Sequence, residues 1–201
     1  MDQEVVATTG RAPWLVVIDM QRAFSDPASG WAAEGYRRAE QNVEQLVERF
    51  SGAVVLTRFV RDPEEPGAWQ RYYERWSQFR VAADSAWWEI TVDAPPGTPV
   101  VDEPTFGKWG DRLQGVVGDA PLVLCGVATE CCVLATAFAA ADAGREVQVV
   151  SDACAGAGPE LHEAALRIMD ANSPLISVVT MRDLIGPGGQ APGTGAAARH
   201  V

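Results

Sequence analysis

Three side chains of different chemistry follow three apolar runs of this 201-residue chain. Asp19 ends the first run, Lys108 comes after the third, and Cys132 follows the fourth at the start of a helical pattern. Ligands of open α/β sheets bind outside the carboxyl ends of the strands. We therefore expect the acid, the amine and the thiol to meet at one sheet edge. Together they supply what nucleophilic catalysis with a proton-transferring acid requires.

Each of these residues also has an ordinary structural interpretation. An aspartate at a strand end is often a cap or turn residue, and a cysteine that starts a buried helix is more often a small core side chain. Lys108 is the only lysine beside 15 arginines, and lysine, unlike arginine, shifts its pKa usefully. A thiol at a helix N-terminus is stabilised as thiolate by the dipole and the free N–H groups. We therefore expect a low thiol pKa for Cys132.

Six short apolar runs indicate the strands that position these residues. Most of them are nearly continuous Val, Ile and Leu, which is typical of parallel strands covered on both faces. The runs are residues 14–18, 53–57, 99–101, 122–125, 147–150 and 175–179. Helical spacing recurs between them, in residues 39–50, 132–143 and 159–169. The alternation predicts βαβ units and an α/β layered sheet.

The chain length favours a single domain, which we assign to residues 1–185. Residues 58–97 form a long insert rich in arginine and tryptophan, and such loops are usually functional or disordered. Its arginines could bind a carboxylate, but nearby acids almost neutralise them, so a salt-bridged surface is an equal alternative. Residues 186–201 are mostly Gly, Pro and Ala and are predicted to form a disordered tail.

Composition excludes several classes of partner. The net charge of −11 argues against nucleic acid, whose binding depends on Lys and Arg. No apolar run approaches the ~18 residues of a membrane helix, and the acidic N-terminus does not resemble a signal peptide, so we expect a cytoplasmic protein. The four cysteines include no C-x-x-C pair, so we expect thiols and no metal. The glycines near residue 157 form an incomplete dinucleotide fingerprint, and no cofactor is expected.

At the candidate residues, the chain resembles the isochorismatase-like cysteine hydrolases. The similarity covers roughly residues 13–185. It is carried by LVVIDMQ at 15–21, Lys108, GVATECCV at 126–133, ATA at 135–137 and SDACA at 151–155. The resemblance implies a three-layer α/β/α fold with a six-stranded parallel sheet in the order 3-2-1-4-5-6.

The resemblance also implies a catalytic triad of Asp19, Lys108 and Cys132, and it places the nucleophile at Cys132 and not at the adjacent Cys131. It implies a cis peptide between Val127 and Ala128, and an oxyanion hole made by the backbone N–H groups of Ala128 and Cys132. Nicotinamidases of this family hold a metal with histidines after the second strand, whereas residues 57–62 (TRFVRD) contain none. Isochorismatases that cleave a vinyl ether generally lack the cysteine. Cys132 therefore favours hydrolysis of a carbon–nitrogen bond.

We expect a cysteine hydrolase that cleaves an amide, ureide or lactam of a small molecule through a thioester. Phe24, Trp31, Trp87 and Phe106 are expected to line a partly aromatic substrate pocket. His162 is interpreted as a surface or packing residue. A vinyl-ether hydrolase and a non-catalytic binding protein on the same fold remain alternatives. The family, the small-residue helix at 132–143 and the tryptophan content predict a homo-oligomer, a dimer or tetramer.

Overall fold

The computed structural model describes residues 11–185, and the predicted tail at 186–201 lies outside this range. Its strands are β1 (Trp14–Ile18), β2 (Val54–Phe59), β3 (Val100–Glu103), β4 (Leu122–Val127), β5 (Val147–Ala155) and β6 (Ile176–Val179). Its α-helices are α1 (Arg22–Ser25), α2 (Tyr36–Arg49), α3 (Trp69–Arg75), α4 (Asp111–Val117), α5 (Leu134–Asp142), α6 (Pro159–Asp170) and α7 (Met181–Ile185). Strands and helices alternate along most of this range, as the apolar runs predict.

All six strands pair in parallel, in the order β3-β2-β1-β4-β5-β6, which confirms the predicted fold class. Val16 of β1 lies between Val55 of β2 and Leu124 of β4. The strand order reverses at the β1–β4 pair. Such a switch point opens a crevice at the carboxyl ends of the strands.

Each face of the sheet packs against its own hydrophobic cluster. Successive residues of a strand point to opposite faces, so Leu15 and Val17 join one cluster while Val16 and Ile18 join the other. The first cluster contains the buried face of α2 and the aromatic residues of the insert. The second contains buried residues of α4, α5 and α6. The result is a three-layer α/β/α arrangement.

The segment between β2 and β3 is folded rather than an open loop. It contains α3 and two 3₁₀ turns, Ser77–Phe79 and Ala86–Trp88. Gln21, just beyond β1, holds this segment in place. Its Nε2 donates hydrogen bonds to the carbonyls of Phe59 (3.2 Å) and Trp88 (3.0 Å). The insert therefore lies against the carboxyl ends of β1 and β2.

No helix between residues 11 and 185 has both the length and the apolar character needed to cross a bilayer.

Candidate active site

Asp19 comes directly after β1 and is fully buried. Its φ of 50° is positive, a conformation that aspartate adopts more readily than most side chains. Thr57 of β2 holds the residue at two points. The Asp19 N–H donates to Thr57 Oγ1 (3.2 Å), and that hydroxyl donates to Asp19 Oδ1 (2.7 Å). The second carboxylate oxygen, Oδ2, is left for other groups.

Lys108 reaches Asp19 from the segment after β3. Its Nζ lies 2.9 Å from Asp19 Oδ2 and donates to the carbonyl of Thr105 at 2.7 Å. Nζ also lies 4.8 Å from the centroid of the Phe59 ring, a cation–π distance. Neither side chain of the Asp19–Lys108 pair is exposed to solvent. Within the described chain, Oδ2 accepts no well-directed hydrogen bond despite this ion pair, so it can accept one from another group.

Cys132 stands on a π-helical turn, Thr129–Val133, between β4 and α5. Only 2% of the residue is exposed, and its thiol lies close enough to Asp19 and Lys108 for both groups to act on its pKa. Thr136 Oγ1 donates to the Cys132 carbonyl (2.6 Å) and accepts from the Lys108 N–H (2.9 Å). The structure thus brings Asp19, Lys108 and Cys132 together.

The pKa of the Cys132 thiol is raised well above its ordinary value, mainly by burial. The charge of Asp19 raises this pKa further, while Lys108 lowers it. The expectation of a low thiol pKa is therefore wrong, because desolvation and the neighbouring carboxylate outweigh the ammonium group. Burial therefore favours the neutral form of the Cys132 thiol.

The two predicted oxyanion donors lie at this turn: Ala128 directly precedes it and Cys132 belongs to it. The Ala128 carbonyl accepts hydrogen bonds from the N–H groups of Cys131 (3.1 Å) and Val133 (3.2 Å). The peptide bond between Val127 and Ala128 is cis. The N–H groups of Ala128 and Cys132 therefore belong to one short hydrogen-bonded segment at the end of β4.

The four predicted substrate-binding residues differ in their ring contacts with Phe59, which lies beside Lys108. Trp31 and Phe106 both contact the Phe59 ring beside Lys108, with centroids 5.7 and 6.2 Å from it. Phe24 stacks on Trp31 at 5.8 Å, and Trp87 contacts Phe79 at 5.6 Å. Among the described ring contacts, neither Phe24 nor Trp87 reaches Phe59. Trp31 and Phe106 are the better placed pair.

Sequence reasoning missed Tyr72 of α3. Burial raises the pKa of its phenol, and the nearby Cys131 and Cys132 thiols raise it further. Its ring lies 5.8 Å from Phe106 and 5.9 Å from Trp31. The spacing of Trp69, Tyr72 and Trp76 is that of a helix face, and this was the available signal.

Three arginines of the insert are paired with carboxylates. Arg58 binds Asp102 through two hydrogen bonds of 2.7 and 2.6 Å. Arg61 and Arg80 both bind Glu65, at 2.7 and 2.8 Å. For these three residues the salt-bridged interpretation is favoured over substrate binding. Among residues 11–185, no group of three or more His, Cys, Asp and Glu side chains could hold a metal ion.

Comparison with known proteins agrees with this architecture. Residues 13–181 match the family described as the isochorismatase domain. An isochorismatase family protein from Desulfovibrio vulgaris subsp. vulgaris str. Hildenborough superposes with a TM-score of 0.75 at 23% identity, covering 87% of this chain and 96% of that one. A cysteine hydrolase from Pseudomonas syringae pv. phaseolicola 1448A gives 0.73 at 18%, covering 85% and 89%. The pyrazinamidase of Pyrococcus horikoshii, solved in complex with zinc, gives 0.67 at 26%, covering 85% and 100%.

Proposed function

The chain belongs to the isochorismatase family, and we propose that it is a cysteine hydrolase cleaving a carbon–nitrogen bond of a small molecule. One observation carries the proposal: the Cys132 thiol and the Lys108 ammonium both approach the same buried carboxylate, Asp19. Such a group of thiol, base and cation can form and release a covalent acyl intermediate. The substrates we propose are amides, ureides or lactams.

In the first half of the reaction, Asp19 accepts the thiol proton as the Cys132 sulfur bonds to the substrate carbonyl carbon. Negative charge moves to the carbonyl oxygen, where the N–H groups of Ala128 and Cys132 stabilise it. Asp19 then passes its proton to the substrate nitrogen. The carbon–nitrogen bond breaks, the amine leaves, and a thioester remains on Cys132.

In the second half, Asp19 removes a proton from a water molecule, whose oxygen bonds to the thioester carbon. The carbon–sulfur bond breaks, the acid product leaves, and the proton on Asp19 returns to sulfur. Lys108, paired with Asp19, stabilises negative charge on the carboxylate and on the sulfur as the carbon–sulfur bond breaks. Because burial raises the pKa of the Cys132 thiol, the scheme needs a base beside the thiol, and Asp19 supplies it.

This scheme uses no metal. The pyrazinamidase of P. horikoshii was solved with zinc, but the donor set of this chain does not fit such a site. After β2, Arg58 is paired with Asp102 and Arg61 with Glu65, and residues 57–62 contain no histidine. Cationic side chains occupy the segment where ligands would be needed.

The test is a screen of small amides, ureides and lactams for ammonia or amine release, followed by assay of two variants. Removing a covalent nucleophile costs on the order of 10⁶-fold in kcat, so Cys132→Ala should abolish turnover, while Cys131→Ala, its neighbour, should retain it. Intact-mass analysis should detect an acyl group on Cys132. A Cys132→Ala protein that still cleaves its substrate would contradict the mechanism and favour vinyl-ether hydrolysis. Saturable binding without turnover would favour a binding protein.

A further inference from the structure

We infer that His162 is a positioning residue for hydrolysis, acting through the segment that carries the nucleophile and the oxyanion donors. That segment, residues 128–132, is called the nucleophile loop below. The inference deepens the proposed function and rests on it, because it assigns a further residue to the same reaction.

The contact that carries the inference is between His162 of α6 and Thr129 of the nucleophile loop. Thr129 is fully buried, and its Oγ1 lies 2.8 Å from His162 Nδ1. Thr129 directly follows Ala128 and comes three residues before Cys132. A displacement of Thr129 therefore moves an oxyanion donor and the thiol together.

A second contact joins the same two parts of the chain. Glu130 Oε1 accepts a hydrogen bond from the Ala157 N–H at 2.8 Å. Gly156 leaves room for this carboxylate, because a Cβ at residue 156 would collide with Glu130 Oε2 and approach the His162 Cβ. Two consecutive side chains of the nucleophile loop are thus fixed to residues 156–162.

The charge state of His162 fits a positioning role. Burial lowers the pKa of its imidazole, which favours the neutral ring. A neutral imidazole offers one donor and one acceptor, and Nδ1 is engaged by the Thr129 hydroxyl. His162 has no direct contact with Asp19, Lys108 or Cys132 among the described hydrogen bonds and ion pairs, so it acts through Thr129.

His162 also borders a cavity of about 480 Å³ beside the nucleophile loop. Arg38, Asp152, Cys154 and Leu166 line it as well. The cavity opens to solvent and is large enough for free imidazole. A small molecule can therefore reach the space that a truncated residue 162 would leave, which provides a direct test.

The experiment compares His162→Ala, His162→Asn and Leu166→Ala. Leu166 lines the same cavity on the same helix, so Leu166→Ala controls for loss of packing. A misplacement of about 1 Å costs about 10²-fold; we expect His162→Ala to lower kcat by about this factor and leave KM unchanged. Asparagine can place a polar atom near Nδ1, and should restore most of kcat. Added imidazole should restore kcat in His162→Ala only.

Three outcomes would overturn the inference: wild-type kcat in His162→Ala, an equal loss in Leu166→Ala, or no response of His162→Ala to imidazole. Hydrogen exchange of residues 126–134 separates this inference from the proposed function. Faster exchange in His162→Ala, but not in Leu166→Ala, supports the positioning role even if no substrate is turned over. Unchanged exchange contradicts the positioning role of His162. Retained cleavage by Cys132→Ala contradicts the proposed function alone.

Discussion

The Asp19–Lys108 ion pair has no solvent exposure, so each buried charge is compensated by its partner and not by water. Removing one partner of a buried pair leaves an uncompensated charge and costs about 3–5 kcal/mol, whereas replacing both is often close to neutral. We expect Lys108→Met to lower the free energy of unfolding by about that amount. Asp19→Asn combined with Lys108→Met should recover most of the loss. Both proteins should be inactive.

Urea denaturation measures these differences, and Arg58→Met is the matched control. The Arg58–Asp102 pair is partly exposed, with 30% and 41% of the side chains accessible, and breaking an exposed pair typically costs ~1 kcal/mol or less. If Lys108→Met and Arg58→Met lower the free energy of unfolding by similar amounts, burial does not make the loss of one partner of the Asp19–Lys108 pair more costly.

Tyr72 of the insert lies close enough to the Cys131 and Cys132 thiols for both to raise the pKa of its phenol. We expect Tyr72→Phe to raise KM, because its hydroxyl is placed to hydrogen-bond a polar group of the substrate, while the melting temperature stays the same. Tyr73→Phe is the matched control: its buried hydroxyl has no described hydrogen-bond partner, and its charged neighbours are Arg61, Asp62 and Glu65. Equal KM values for the two variants would remove Tyr72 from the substrate site.

Residue types and strand ends were enough to select Asp19, Lys108 and a thiol after β4, while the family resemblance was needed to choose Cys132 over Cys131. They were not enough to find Thr57, Thr136 or Tyr72, whose roles depend on contacts between distant segments. The pKa of Cys132 was mispredicted for the same reason. The helix-terminus argument is local, whereas the burial that dominates this pKa comes from the tertiary packing around the site.

At the scale of elements, Gly126 controls the pairing of β1 with β4 at the switch point. Its φ is 112°, and a Cβ there would collide with the backbone of Ile18. We expect Gly126→Ala to lose more than about 3 kcal/mol or to fail to fold. Gly115 is an exposed position in α4 with open space around it, so Gly115→Ala should gain about 0.5–1 kcal/mol. Thermal unfolding of both variants tests this contrast, and a mild effect at Gly126 would contradict it.

The insert is held by the Arg61–Glu65–Arg80 cluster. Hydrogen bonds from Arg80 and Arg61 hold the pKa of Glu65 below its ordinary value. A carboxylate with a lowered folded-state pKa contributes stability above its unfolded pKa and loses it as pH falls through the folded pKa. We expect the insert to become more sensitive to protease as pH falls below about 4.5. Glu65→Gln should be sensitive at neutral pH and show little pH dependence, as limited proteolysis can measure.

The elements themselves were largely predictable, because nearly continuous Val, Ile and Leu runs are typical of parallel strands. β1 was predicted at its observed bounds, while β5 extends from the predicted Val150 to Ala155. Residues 151–155 include Ser151, Asp152 and Cys154, which interrupt the apolar pattern, so pairing rather than composition extends this strand. In the insert, the spacing of Trp69, Tyr72 and Trp76 was the signal for α3, whereas the two 3₁₀ turns are too short to show a periodic pattern.

At the scale of the molecule, the predicted homo-oligomer requires an exposed apolar surface where two chains can contact each other. The small residues of α5 face the core, where Ala137, Ala140 and Ala141 are buried, so they are explained within one chain. α6 instead exposes Leu161 and Ile168, two turns apart and each more than half exposed. We expect light scattering to give at least twice the 21.5 kDa chain mass. Ile168→Glu should reduce it to the monomer.

Val100→Glu is the control for that substitution. Val100 is exposed to a similar degree, 48%, and lies on β3, the edge strand at the other end of the sheet from β6. It should leave the mass unchanged. A monomeric wild-type protein at micromolar concentration would contradict the predicted oligomer. If Ile168→Glu remains oligomeric, the contact between chains does not involve this face of α6.

The burial of all three reactive side chains has a consequence for the timing of turnover. We expect that a substrate reaches Cys132 only after aromatic residues of the insert move aside, and lid motions of this kind occur in microseconds to milliseconds. Gating of this kind sets a ceiling on kcat that the leaving group does not alter. Among amides of one shape, kcat should rise with the reactivity of the amide until it reaches this ceiling, and the plateau rate should fall as solvent viscosity rises.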